Sequence, residues 1–291
     1  ALPNMVFLYW VDSDGKAYYP NSKVTINGDV TLTAVYGATS QPVSITYHST
    51  FNDASKTYDA LANNAKITVM DYSATGLDER EGYTFAGWNT QADGDGATFE
   101  AGMEARVDND GENHLYAKWT ADDAKIAFVT NGGSTVADMT GKTGDVINPT
   151  TMPSTTKNGY TFDGWYANAE FSGTAVTQLP AAFPAGTTTY YAKWTADDAT
   201  IKFVTNGGSA IEDMTGKTGD VINPTTMPST SKNGYTFAGW FGNKELTGDA
   251  VTELPEVFPA GTTTYYAKWT ADDAKIAFVT NGGSTVADMT G

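Results

Sequence analysis

Three Asp-x-Asp-Gly segments bring hard oxygen donors close together: Asp12-Ser13-Asp14-Gly15, Asp93-Gly94-Asp95-Gly96 and Asp108-Asn109-Asp110-Gly111. Clustered carboxylates are what Ca2+ coordinates, but none of the three continues into a full loop with a third ligand, a Gly at position six and a Glu at twelve. Asp and Gly are equally favoured by tight turns, and the turn is the reading adopted for all three. The most acidic stretch, residues 38–120, carries 5 basic against 13 acidic residues. That makes Asp93, Asp95, Asp108 and Asp110 the candidate Ca2+ ligands. The pairs Asp122-Asp123, Asp197-Asp198 and Asp272-Asp273 are a second set of carboxylates. They are read as solvated turns, with cation binding as the alternative.

Nothing else in the chain has the spacing of a reaction centre. There is no Gly-x-Ser-x-Gly elbow, no phosphate-binding loop and no His-Glu-x-x-His. The absence of Cys removes disulfides, thiolate metal sites and thiol nucleophiles. The two histidines, His48 and His114, stand 66 residues apart and are not repeated, so they are read as satisfied or solvated side chains. Lys193 and Asn131 recur between copies, but an intramolecular Lys–Asn cross-link would need both buried beside a carboxylate. No catalytic residue and no cofactor is expected, and the chain is not expected to be an enzyme.

Charge narrows the partners. With 17 Lys+Arg against 34 Asp+Glu the net charge is −17, the opposite of the cationic footprint that nucleic acid requires. No run approaches the ~20 apolar residues that cross a bilayer, so no membrane insertion is expected in this segment. No secretory leader pattern opens it. Aromatic residues make up 12% of the chain, which marks a folded composition and not a disordered one.

The elements that must carry these residues are set by repetition. Ala121-Asp122-Asp123-Ala124 returns at 196 and again at 271, a period of 75 residues, and 121–195 matches 196–270 at 59 of 75 positions. Residues 271–291 repeat 121–141 without a change. More distant copies come first. Residues 38–120 form a divergent unit, and 5–37 read as the second half of an older one. The domain division is therefore 1–37, 38–120, 121–195, 196–270 and 271–291, with adjacent repeats as the first partners of each unit and a monomer overall. All seven Trp fall on two repeat positions: Trp10, Trp88, Trp165 and Trp240 on the first, Trp119, Trp194 and Trp269 on the second. Large aromatics at fixed positions are most simply core anchors, which assigns that role to Trp88, Trp119, Trp165, Trp194, Trp240 and Trp269. A carbohydrate-stacking platform is the alternative.

Within a unit, Ile126–Thr130 alternates and is β-prone, Asn131-Gly132-Gly133 signals a turn, and a returning strand is expected from Thr135 to about Met139. A short helical turn is expected near Met152–Lys157. Tyr160–Tyr166 alternates again, which puts Trp165 on the face opposite Tyr160 and Phe162 unless a bulge at Gly164 re-aims it. Thr188–Trp194 closes the unit. In 38–120 the opening strands are expected at Val43–His48 and Lys66–Asp71, separated by an insert. The result is a mainly β fold with little helix. Only six residues separate Trp194 from Ile201, which predicts restricted bending between units.

Gly-Tyr-Thr-Phe-x-Gly-Trp at 82–88, 159–165 and 234–240, Tyr-Ala-Lys-Trp-Thr at 116–120, 191–195 and 266–270, and Phe-Val-Thr-Asn-Gly-Gly at 128–133, 203–208 and 278–283 together resemble the Listeria–Bacteroides repeat, or internalin B-repeat. The resemblance covers nearly the whole chain, more weakly over 1–37. It implies small β-grasp-like α+β modules strung in tandem as an elongated rod, on bacterial proteins that are secreted or held at the cell surface and cell wall. It further implies a structural stalk or spacer in an adhesin-like protein, projecting a distal binding domain. One alternative is that the repeats themselves bind a host glycan or protein, with Tyr166, Phe241, Tyr190 and Tyr265 as candidate exposed aromatics. Another is that they are accessory repeats of a secreted enzyme.

Overall fold

The computed structural model describes residues 5–20, 22–25, 27–38, 43–61, 65–107 and 113–291. Residues 196–270 show the architecture most completely. Ala199, Ile201 and Phe203 alternate with Thr200, Lys202 and Val204, and strand Asp198–Val204 buries the first set while turning the second outward. This strand lies at the centre of a four-stranded sheet in the order Met214–Lys217, Asp198–Val204, Thr262–Ala271, Tyr235–Phe241. It pairs antiparallel with Met214–Lys217, from Asp198↔Lys217 to Ile201↔Met214. It pairs parallel with the closing strand, from Thr200↔Thr262 to Val204↔Tyr266. A parallel pair needs a long crossover, usually helical. Here the crossover consists of the other two strands and extended connections, with no helix among them.

The closing hairpin contains the bulge suggested by Gly in a strand. Pairing runs Phe237↔Trp269 and then Gly239↔Lys268, so Ala238 is the extra residue. Gly239 sits at φ +116, and a Cβ there would stand 2.9 Å from Ala250 Cβ. The bulge turns Trp240 into the core with Ile201, Phe203, Ile222, Leu254, Phe258 and Tyr265. Phe203 and Phe237 meet its ring edge-on at 5.2 and 5.5 Å, a favoured aromatic geometry.

The preceding repeat has the same two hairpins. Asp123–Val129 pairs with Met139–Lys142, and Tyr160–Tyr166 pairs with Thr187–Ala196, with the register shift again between Phe162 and Gly164. The returning strand therefore starts where the sequence reading had it end. No helix forms at Met152–Lys157. That backbone is extended, bridged at Thr151↔Gln178 and Lys157↔Tyr160, and the Trp165 indole donates to Pro153 O at 2.8 Å. Carbonyls used by partners elsewhere in the repeat are not available for an i→i−4 ladder.

The divergent unit builds a five-stranded sheet in the order Ser55–Leu61, Val43–His48, Asn113–Ala121, Tyr83–Asn89, Thr98–Phe99. The strand beside Val43–His48 is Ser55–Leu61 and not Lys66–Asp71. The insert carries its own inward residues, Tyr58 and Leu61, both buried, and Ile67 and Val69 of the expected strand are buried as well. Ala65–Thr68 instead pairs with Glu104–Val107 in a separate ribbon. The one helix among the described residues, Tyr72–Thr75, is a single turn. Asp71 caps its start by accepting from Ser73 N at 3.0 Å, and Gly76 ends it at φ +71. Met70 O takes the Trp88 indole as Pro153 O takes that of Trp165, so the expected helical turn occurs in this unit only.

Residues 5–37 repeat the closing hairpin. Met5–Val11 pairs with Thr33–Ala38 through Phe7↔Tyr36 and then Tyr9↔Val35, the same count as Phe162↔Trp194 and Gly164↔Lys193. Tyr36 thus stands where later units have Trp.

Packing divides the described chain into two compact units. One comprises Ala1–Ile126, Asp138–Thr150 and Pro180–Thr188; the other comprises Ala127–Ala137, Thr151–Leu179 and Thr189–Gly291. The link from 119 to 124 lies inside the first and the link from 194 to 199 inside the second.

Candidate functional site: the joints between repeats

The most elaborate recurring contacts lie where one repeat meets the next, and they are built by the paired Asp residues. At the first joint Asp122 N donates to Gly82 O at 2.9 Å, and Thr84 Oγ1 donates to Asp122 Oδ1 at 2.6 Å. Asp122 O then accepts from Thr143 N at 2.9 Å, which holds the turn at Thr143-Gly144 against the preceding repeat. Tyr83 Oη donates to Thr143 O at 3.2 Å. Gly82 is at φ +76, and a Cβ on it would stand 2.7 Å from Ala185 Cβ and 2.8 Å from Thr143 Cγ2. Only glycine allows that approach without a shift.

The second joint is the same in each particular. Asp197 N donates to Gly159 O at 3.0 Å, Thr161 Oγ1 to Asp197 Oδ1 at 2.6 Å, Thr218 N to Asp197 O at 2.9 Å, and Tyr160 Oη to Thr218 O at 3.3 Å. A Cβ on Gly159 would meet Ala260 Cβ at 2.6 Å. The hydroxyls Thr143 Oγ1 and Thr218 Oγ1 are buried in these joints without a hydrogen-bond partner. After residue 270 half of the latch is present: Asp272 N reaches Gly234 O, and Thr236 Oγ1 reaches Asp272 Oδ1 at 2.6 Å. There Tyr235 is 41% exposed and nothing stands within 4 Å of a Cβ on Gly234. The latch half belongs to the preceding repeat and its link, and the seat is completed by the turn of the next.

The second Asp of each pair works within its own hairpin. Lys142 Nζ lies 2.7 Å from Asp123 Oδ1, and Lys217 Nζ lies 2.8 Å from Asp198 Oδ1. Hydrogen bonding to Lys217 holds the Asp198 carboxyl below the ordinary range, and the partner carboxylates hold both lysines above theirs. The joint tyrosines carry cations on their faces: Arg80 at 3.6 Å from the Tyr83 ring centre, Lys157 at 4.2 Å from Tyr160, and Lys232 at 4.2 Å from Tyr235. The paired carboxylates are therefore engaged by protein groups.

The other sequence candidates fall as follows. Asp93 Oδ1 accepts from Asp95 N at 3.0 Å, a local turn with both side chains exposed. Asp108 and Asp110 lie outside the described residues. Asp12 is tied to the backbone of Asp14 and Lys16 and to the Tyr18 hydroxyl; these bonds hold its carboxyl below the ordinary range. No group of three or more His, Asp or Glu among the described residues could share a metal ion. Trp88, Trp165 and Trp240 are fully buried. Trp119, Trp194 and Trp269 are half-buried, and their indoles donate to Ser49 O, Thr130 O and Thr205 O at 3.0, 2.8 and 2.8 Å. Of the aromatics considered for a binding surface, Tyr190, Phe241 and Tyr265 are buried. Tyr166 is half-buried, with Lys193 Nζ 5.2 Å from its ring centre. Asn131 is exposed and donates to Ala192 O at 2.8 Å, which is not the buried setting a Lys–Asn cross-link needs.

One pairing escaped the sequence reading. His48 Nε2 and His114 Nδ1 are 2.8 Å apart, and Tyr116 stacks on the His48 ring at 4.5 Å and 13°. Burial and then the neighbouring His114 hold the His48 imidazole below its ordinary value. The only signal was indirect: both histidines lie in strand-like segments of the same unit.

The family model for the Listeria-Bacteroides repeat domain matches residues 44–118, 125–193 and 200–268. Among curated proteins, one from Evansella cellulosilytica named as a Gly-rich membrane protein is 28% identical over 284 residues, covering 96% of this chain and 32% of its own length. Internalin H of Listeria monocytogenes is 32% identical over 153 residues, covering 50% of this chain and 26% of its own. The chain spans about a quarter to a third of these relatives. No helix among the described residues is long and apolar enough to cross a membrane.

Proposed function

The chain belongs to the Listeria-Bacteroides repeat domain family, and from that premise we propose that it serves as a non-catalytic spacer in an extracellular protein of the cell surface or cell wall, an elongated rod of β modules projecting a distal binding region. The observation that carries this reading is the joint. Two successive links repeat the same Asp–Thr–Gly–Tyr latch on a following Thr-Gly turn, with matching distances. A linker meant to swivel gains nothing from a seat in which a Cβ cannot fit. Repetition then sets reach, each latch limits bending, and the negative charge keeps neighbouring molecules apart. The names of the relatives, a membrane protein and an internalin, support a surface setting. Aromatic burial in the late repeats weighs against a glycan platform there.

The absence of Cys makes the test direct, because a spin-label pair can be introduced without competing thiols. Labels at the exposed positions Thr174 and Asp249 report the distance between successive repeats. A narrow distribution is expected in the parent, broadening when Tyr160→Ala and Asp197→Ala are combined. A parent distribution already as broad as the variant's would rule out restricted bending.

A further inference from the structure

We propose that His48 and His114 form a two-imidazole site for a tetragonal transition-metal ion of the Cu2+ or Ni2+ type. The chain has only two histidines. The parallel pairing of Val43–His48 with Asn113–Ala121 sets Thr46 opposite His114 and His48 opposite Tyr116, which brings both rings together on the face of the sheet turned away from the core. The late repeats share this register but carry Val204 and Thr264 at the same two places. The imidazole pair is thus a feature of the divergent unit alone, laid on a backbone that all the units use.

The two inner nitrogens, His48 Nε2 and His114 Nδ1, are held 2.8 Å apart by a hydrogen bond. Metal–imidazole bonds are about 2.0–2.1 Å, so one ion bound to both nitrogens sits beside the N···N line, and both rings turn to aim their lone pairs at it. Imidazole suits Cu2+ and Ni2+, and Cu2+ stands highest in affinity among the divalent first-row ions. The donor ring shifts the bridging proton to its outer nitrogen, and both inner nitrogens then present lone pairs.

Space for the remaining ligands lies alongside. A cleft of about 270 Å³ is lined by His48, Thr50, Asn52, Asp53 and Tyr116. It admits water for the remaining positions. Tyr116, stacked on His48, restrains that ring and reduces the ordering cost of binding.

The experiment uses the full chain without a histidine tag. Cu2+ is titrated in the presence of excess Ca2+, which occupies the hard carboxylate sites, and continuous-wave EPR is recorded at one equivalent. The expected result is an axial Cu2+ signal with superhyperfine coupling to two nitrogens, lost in His48→Asn and in His114→Asn. Near-ultraviolet circular dichroism checks that both variants keep their tryptophan packing. A signal that survives in both variants places the ion elsewhere and overturns the proposal. So does Cu2+ coupling to no imidazole nitrogen.

Discussion

Residues 121–141 and 271–291 have the same sequence and different structures. In the first copy Asp123–Val129 is a seven-residue strand, Ile126 is 0% exposed and Phe128 8%. In the second, the strand shrinks to Lys275–Ile276, and Ile276 and Phe278 are 58% and 44% exposed. Local propensity is identical, so the difference comes from what covers the hairpin. Trp165, supplied by the second half of the same repeat, packs edge-on against Phe128 at 5.1 Å. In residues 5–37, which hold a closing hairpin, Leu8 is buried and Tyr19 joins the core of the following unit, while Trp10 is 42% exposed. Its counterparts Trp88, Trp165 and Trp240 are fully buried. A hairpin buries its apolar face only against a partner element, as expected of isolated β-hairpins.

The contrast can be broken most forcefully by adding the second half of a repeat. Appending the sequence of residues 142–195 after Gly291 is expected to convert the amides of Ile276 and Phe278 from rapid exchange to the protection of Ile126 and Phe128. Hydrogen exchange read by NMR checks this, and continued rapid exchange would mean that the hairpin does not depend on its cover. Next in size is a paired truncation. Phe128→Ala is expected to cost about 3–5 kcal/mol in urea unfolding, whereas Phe278→Ala leaves the transition where it was. Equal effects would sink the comparison.

A smaller contrast lies in the turn. A Cβ on Gly133 would fall 2.4 Å from Trp194 Cζ2, while on Gly283 the nearest atom is Thr280 O at 3.4 Å. Gly133→Ala is therefore expected to cost about 1–3 kcal/mol by overpacking, and Gly283→Ala nothing visible in a thermal melt. The smallest effect is expected where the two copies agree. Lys125 pairs with Asp138, and Lys275 pairs with Asp288. These ion pairs are local to the hairpin and partly exposed, and such pairs contribute little. Lys125→Gln and Lys275→Gln should each leave the melting curve unchanged, and a clear shift in either would show that the pair does more than the exposed setting implies.

Much of the fold could be read from residue patterns. A Gly inside the alternation Tyr160–Tyr166 signalled the bulge, because without one Trp165 would face away from Phe162. The fixed spacing of Trp marked two aromatic positions in every unit. What could not be read depends on non-local pairing. Choosing Ser55–Leu61 over Lys66–Asp71 as the edge strand is a competition between two β-prone segments that both bury apolar residues, Tyr58 and Leu61 in one and Ile67 and Val69 in the other. The meeting of His48 and His114 rests on the register of a parallel pair separated by 66 residues. The joint was half legible: Gly-Tyr and Asp-Asp recur, but the turn that seats on Gly82 and Tyr83 lies 60 residues on at Thr143.

The sequence by itself determined the period, the β character, the positions of the tryptophans and the bulge glycine. All of these are local periodicities or exact recurrences, and they follow from the two-residue repeat of a strand and the steric demands of a positive φ. Tertiary structure alone decided that the first Asp of each pair latches a joint while the second binds its own hairpin's lysine. It alone decided that two lone histidines touch. Burial and hydrogen-bond partnership belong to the assembled neighbourhood, which residues far apart in the sequence supply.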